Sequence, residues 1–153
     1  DPTITHVRGE LEERGQIVRG GHIPADPRAT WQLQFEGGAQ AWSVPAGYWE
    51  FEILGTSGSV RSLDNGAEAS LRVAGQGRGW TDAVLPAVTP RSTVVCCLED
   101  LVRAHESGQP TRGHVDVTHH VTEACLAVAE SHRRGGTWVA LPGIDRELYV
   151  FHV

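Results

Sequence analysis

The chain has no methionine and no lysine, while arginine occurs thirteen times. Without lysine, Schiff-base catalysis and acid–base chemistry by a lysine amine are both excluded. A chain that opens on "DPTITHVRGE" with no methionine is expected to be a piece of a longer protein. No run approaches the roughly 18 apolar residues that a membrane-spanning helix needs, and no basic-then-apolar leader is visible at the N-terminus. A cytoplasmic protein with no membrane partner is therefore expected. Cysteine is scarce and odd in number: Cys96, Cys97 and Cys125. Neighbouring cysteines rarely bridge each other, and the spacing matches no zinc ribbon. All three fall in apolar helical patterns, so they are expected to be reduced, buried and inert. Basic charge is also in deficit, with a net charge of −6 over 153 residues. That balance argues against nucleic acid as a partner.

What is present suits one domain, residues 1–153, with a core of its own. "THVRGELEER" is a weak strand candidate because charge interrupts it. "GQIVRGGHIPADPR" reads as a loop, in which Asp26 and Pro27 shape a turn. "TWQLQFE" has period two, with Trp31, Leu33 and Phe35 on one face and Gln32, Gln34 and Glu36 on the other. Gly37-Gly38 then signals a hairpin. "YWEFEIL", "SVRSL" and "AEASLRV" continue an antiparallel meander, with a tight turn at Asp64-Asn65-Gly66. "GQGRGWTD" is G-x-G-x-G, lacks the spacing of a dinucleotide fingerprint and leads into prolines, so it predicts a loop.

After Thr89 the period changes. Val94, Cys97, Leu98, Leu101 and Val102 form one helical face, with Thr89 as a candidate cap, Pro90 in the first turn and Gly108 as the stop. A second helix is expected from Asp116 to the arginines before Gly135-Gly136, with Val117, Val121, Ala124, Cys125 and Val128 inward. "TWVALP" and "ELYVFHV" are further strand candidates. The fold class is therefore α+β: a mostly antiparallel open sheet, with the helices near 92–107 and 116–134 covering one face.

The stretch "SGQPTRGHVDVTHH" between the helices holds three of the eight histidines. Either it is a metal or catalytic site, or it is only a polar helix start. His119 and His120 diverge by about 100° on a helix, so they do not converge with Asp116 on one ion, and a metal site needs three or four convergent ligands. The polar helix start is the expectation, with no metal and no catalytic residue in the chain. Glu99 and Asp100 read as a solvated helix face.

Three segments together resemble a known family. "CLEDLVRAHESGQPTRGHVDVTHHVTEACLAVAESHRRGGTWVALP", "ATWQLQFEGGAQAWSV" and "YWEFEILGTSGSVRSL" are similar, in order and spacing, to the closing domain of the glucose–fructose oxidoreductase / inositol dehydrogenase family. Glu52, Ile53, Gly55, Thr56 and Gly58 stand in register with one of its motifs. The resemblance implies a dihydrodipicolinate-reductase-like C-terminal domain of an NAD(P)-dependent oxidoreductase for a sugar or polyol-like hydroxyl. In such proteins a separate N-terminal Rossmann domain binds NAD or NADP and carries an E-K-P lysine, and a D-x-x-x-H helix supplies the catalytic histidine. None of these motifs occurs in this chain. It is therefore expected to bind no cofactor by itself, to be inactive alone, and to form a homo-oligomer through its open sheet face. The resemblance makes Tyr48 and Trp49, and His22 in the "RGGHIPAD" loop, the substrate-contact candidates. Packing on the sheet for the first two and plain exposure for His22 are the simpler alternatives. A stand-alone binding or scaffolding module of the same fold is the other functional class.

Overall fold

The computed structural model describes residues 3–17, 27–43, 50–75, 77, 79–87, 89 and 91–144. In chain order the elements are β1 (Ile4–Glu13), β2 (Gln16–Ile17), β3 (Arg28–Phe35), β4 (Gln40–Ser43), β5 (Phe51–Leu54), β6 (Gly58–Leu63), β7 (Glu68–Ala74), β8 (Trp80–Ala83), α1 (Thr93–Ser107), α2 (Val115–Arg133) and β9 (Val139–Ala140). The class is α+β, with two helices and antiparallel sheets. The described strands fall into two sheets, and the chain divides into two compact units, Asp1–Pro45 with Cys97–Val153, and Ala46–Cys96.

The first unit contains the sheet β2-β1-β3-β4, with β9 also paired to β1. Its centre is β1, the strand that charge made hardest to see in the sequence. The charges lie on one side of the ribbon: Val7, Gly9 and Leu11 are buried, while Arg8 is exposed and His6, Glu10 and Glu12 are half-buried. A register irregularity between Ile4 and His6 turns Ile4 inward as well. The core is Ile4, Val7 and Leu11 from β1, Ala124, Ala127 and Val128 from α2, and Val139 from β9. Ala29, Trp31, Leu33 and Phe35 of β3 pack against it, on the face that their period-two pattern selects. Each fully buried Val or Leu contributes about 1.5–3 kcal/mol.

Helix α2 approaches β1 closely because both surfaces are small at the contact. A Cβ built on Gly9 would lie 2.7 Å from Val128 Cγ1 and 3.0 Å from the Thr30 carbonyl oxygen. The helix also completes the edge of β1. The Ile4 N–H donates to His120 Nε2 (2.9 Å), the Gly9 N–H to Ser131 Oγ (2.9 Å) and the Leu11 N–H to His132 Nδ1 (3.2 Å). Ser131 is fully buried and its own hydroxyl donates a hydrogen bond to the Thr137 carbonyl. The helix stops in a Schellman motif: the Gly136 N–H bonds the Ser131 carbonyl and the Gly135 N–H bonds the His132 carbonyl. Both glycines have positive φ, 77° and 78°, as that turn requires. α2 begins at Val115 with His114 at the cap, two residues earlier than an Asp116 cap predicts.

In the second unit, β5 to β8 form an antiparallel sheet in sequence order. Phe51, Ile53, Val60 and Val73 are exposed, and Ser59 is the only buried residue among those described in this unit. Asp64, Asn65 and Gly66 make the left-handed turn before β7. Trp80, Thr81 and Asp82, expected in a loop, form most of β8.

Helix α1 starts at Thr93, four residues after the expected cap at Thr89, and Ser92 accepts the first helical bond from the Cys96 N–H. It contributes no buried residue; Leu98 and Leu101 are each 57% exposed. The expectation that this stripe shares the core is corrected on that point. Ala124, Ala127 and Val128 of α2 already fill the inward face of β1. The thiols are corrected with it: Cys96, Cys97 and Cys125 are free, but all three are exposed.

Three substitutions test this packing in urea melts. Ser131→Ala leaves the buried Gly9 N–H without a partner and is expected to cost about 1–3 kcal/mol. Gly9→Ala, which would ordinarily favour a strand, is expected to cost about 1–3 kcal/mol by overpacking against Val128. Leu98→Ala is expected to stay within about 0.5 kcal/mol, as exposed sites do. A Leu98→Ala loss larger than that of Ser131→Ala would contradict the assignment of the core.

Candidate functional site: the open face of the five-stranded sheet

The sheet register brings polar side chains into rows on the face of β1 turned away from α2. Arg8 pairs with Gln32, which pairs with Trp42; Glu10 pairs with Thr30, Glu12 with Arg28, and His6 with Gln34. Arg8, Glu10, Thr30, Gln32, Trp42 and Ser43 border a shallow depression of about 400 Å³. Trp42 is 58% exposed. Arg8, Glu10, Glu12 and Arg28 make no ion pair or side-chain hydrogen bond among the described residues. The face thus carries two arginines, a carboxylate and an exposed indole, while the Glu10 side chain lies at the sheet edge, where a Cβ on Gly136 would stand 3.0 Å from its Oε1. Such a face can bind or pack.

The three substrate-contact candidates, His22, Tyr48 and Trp49, lie outside the described residues. The histidine stretch is inside them, and its members part company. His114 Nδ1 stands 3.5 Å from Asp116 Oδ2, His119 is exposed, and His120 is committed to the Ile4 N–H. Among the described residues no three His, Cys, Asp or Glu side chains are placed to hold a metal. Sequence reasoning missed that His120, Ser131 and His132 serve the edge of β1. The eleven residues from His120 to Ser131 make close to three whole turns, which puts both on one stripe with the small residues Ala124 and Ala127. That spacing was the available signal.

The glycine-rich turn does not have the form of a dinucleotide's pyrophosphate site. The Gly75–Gly79 turn closes on itself through the Gly75 N–H and the Gly79 carbonyl and runs into strand β8, whereas a pyrophosphate site needs the N-terminus of a helix.

Asp100 is more than a solvated helix residue. Its Oδ1 accepts from Arg103 Nη2 at 2.6 Å and its Oδ2 from the Arg112 N–H at 2.9 Å, which ties α1 to the loop before α2. The Arg103 hydrogen bond, then that of the Arg112 backbone, holds its pKa below the ordinary carboxylate value of 3.8. In α2, buried Glu130 is paired with Arg134 Nε (2.7 Å) and Arg133 Nη1 (3.2 Å).

No family model and no curated protein sequence matches this chain. A solved structure does: the chain is similar in fold to the aldose-aldose oxidoreductase from Caulobacter crescentus, determined in complex with glycerol. The likeness covers 92% of this chain at a TM-score of 0.64 and 17% sequence identity. The chain spans 42% of that protein's length. The two share a related fold. Among the described residues no helix is long and apolar enough to cross a membrane.

The Asp100 clamp has a definite pH signature. A carboxylate whose folded pKa is depressed adds stability that is present above its unfolded pKa and is lost as pH falls through the folded one. Carboxyl-carbon NMR is expected to place the Asp100 midpoint below 3.8. Arg103→Ala is expected to raise it toward the ordinary value. A midpoint at or above the ordinary value in the unaltered chain would contradict the clamp.

Proposed function

We propose that this chain is the C-terminal substrate-binding and oligomerisation domain of an NAD(P)-dependent oxidoreductase of the glucose–fructose oxidoreductase / inositol dehydrogenase family, acting on a sugar or polyol-like hydroxyl in the cytoplasm. The observation that carries the reading is the fold likeness to an aldose-aldose oxidoreductase over 92% of the chain. The order of the "SGQP", "ES…GG…LP" and "E-I-x-G-t-x-G" motifs supports it independently.

In this reading hydride transfer belongs to a Rossmann domain supplied by the rest of the protein, which would hold NAD or NADP. This chain's work is binding. Tyr48 and Trp49 present aromatic surface to the apolar faces of a polyol or sugar ring, and His22 offers a hydrogen bond to a hydroxyl. Self-association through the open sheet face fixes the assembly.

The test compares residues 1–153 with the product of the natural reading frame. The 153-residue chain is expected to leave NADH fluorescence unchanged and to oxidise no aldose or polyol. The natural product is expected to bind NADH or NADPH saturably and to reduce NAD or NADP at the expense of such substrates. Trp49→Ala in that protein is expected to raise KM about tenfold or more, with a smaller effect on kcat. Saturable NADH binding by residues 1–153 would overturn the reading. A natural product with no dinucleotide affinity would favour a binding or scaffolding module instead.

A further inference from the structure

Two of the three side chains that close the edge of β1 are histidines, and both act as acceptors. The Ile4 N–H donates to His120 Nε2 (2.9 Å) and the Leu11 N–H to His132 Nδ1 (3.2 Å). A backbone N–H only donates, so each of these ring nitrogens presents its lone pair. That fixes opposite tautomers: His120 carries its proton on Nδ1, and His132 carries its proton on Nε2. An imidazolium has an N–H on both nitrogens and no lone pair to offer. Proton uptake at either ring and closure of β1 over that ring therefore exclude each other. His132 is only 8% exposed, beside the fully buried Ser131, so a charged ring there would face a donor with little water to solvate it.

We infer that His120 and His132 form a proton-operated latch between α2 and β1, closed while both rings are neutral and released at the Ile4 and Leu11 amides when the rings take up protons. The Gly9 amide between them is held by the hydroxyl of Ser131, which does not titrate, so the latch has a fixed middle and two acid-sensitive ends. The closed form binds fewer protons than the open one. Its stability therefore rises with pH and is lost as pH falls. Histidine is the side chain whose charge ordinarily changes between about pH 5 and about pH 8. The Asp100 clamp, held below 3.8, stays ionised across that range and does not confuse the response. The latch belongs to the fold and does not rest on the oxidoreductase reading.

Charged neighbours set where on the pH scale the latch opens, not its direction. On α2, Asp116 and Glu123 stand about one turn from His120, with His119 beside it. Glu36 follows β3 and bonds Thr3, next to Ile4, through its N–H. In the last turn of α2, Glu130 pairs with Arg133 and Arg134, the neighbours of His132. From β1 comes Glu10, whose Oε1 would stand 3.0 Å from a Cβ on Gly136. Glu12 and Arg28 are register partners beyond Leu11, and β9 brings no charge. None of these reverses the sign, because the group aimed at each accepting nitrogen is an N–H.

Nitrogen NMR of the histidine rings and amide exchange across pH test this on the unaltered chain. At about pH 8, His120 is expected as the Nδ1–H tautomer and His132 as the Nε2–H tautomer. Between about pH 8 and about pH 5, protection of the Ile4 and Leu11 amides, corrected for the intrinsic pH dependence of exchange, is expected to fall about tenfold or more. One linked proton allows up to about tenfold per pH unit. Val7, bonded in the strand ladder, is expected to keep its protection. His120→Gln and His132→Asn each offer a carbonyl oxygen that does not titrate near the place of the accepting nitrogen. Each variant is expected to protect its own amide at both pH values, while the other amide still responds. The opposite tautomer at either ring would overturn the latch. So would Ile4 and Leu11 amides that respond to pH no more than Val7, or a response that survives at a variant's own amide. Should a variant fail to fold by circular dichroism, the tautomers and the pH response of the unaltered chain decide.

Discussion

The structure of the first unit depends on how one strand edge is closed. On one side β1 pairs with β3 along nearly its whole length. On the other it has only a two-residue contact with β9 and another with β2. The gap between them is closed by the last turn of α2, where Ser131 and His132 receive the Gly9 and Leu11 N–H groups. A buried backbone donor left unpaired costs about as much as a lost hydrogen bond or more, so the helix end must sit at that height. The rest follows from it. Gly9 has to lack a side chain so that Val128 can approach, and Gly135-Gly136 have to turn the chain immediately so that Val139 can pair with Val7.

This arrangement gives β1 two unlike faces. The inward face is apolar and small, and α2 consumes it. The outward face alternates with it and is charged throughout, yet its charges stay unsatisfied within the described part of the chain. A strand buried on one side and charged on the other is ordinary for an antiparallel sheet facing water.

Much of this was legible in the sequence where a single period dominates. Trp31, Leu33 and Phe35 mark β3, Gly37-Gly38 its hairpin, and Val121 to Val128 with the terminal glycines mark α2. Legibility failed where two signals share the same residues. β1 looked weak because His6, Arg8, Glu10 and Glu12 alternate with a core that includes a glycine, so its apolar face reads as only Val7 and Leu11. The stripe of α1 was read correctly as a helix face, but period alone does not say what a face meets, and Leu98 and Leu101 meet no core. The same limit misplaced the cysteines. The substrate-contact candidates His22, Tyr48 and Trp49 came from family resemblance alone, since nothing in their spacing requires them to share a surface, and they lie outside the described residues.

The central claim is that side chains of α2 stand in for a missing strand along β1. Native-state hydrogen exchange measures this amide by amide. The account predicts that the Gly9 and Leu11 N–H groups exchange as slowly as that of Val7, which is bonded in the strand ladder, and that Ser131→Ala speeds Gly9 selectively. Exchange of Gly9 and Leu11 at the rate of an uncovered strand edge, in the unaltered chain, would contradict it.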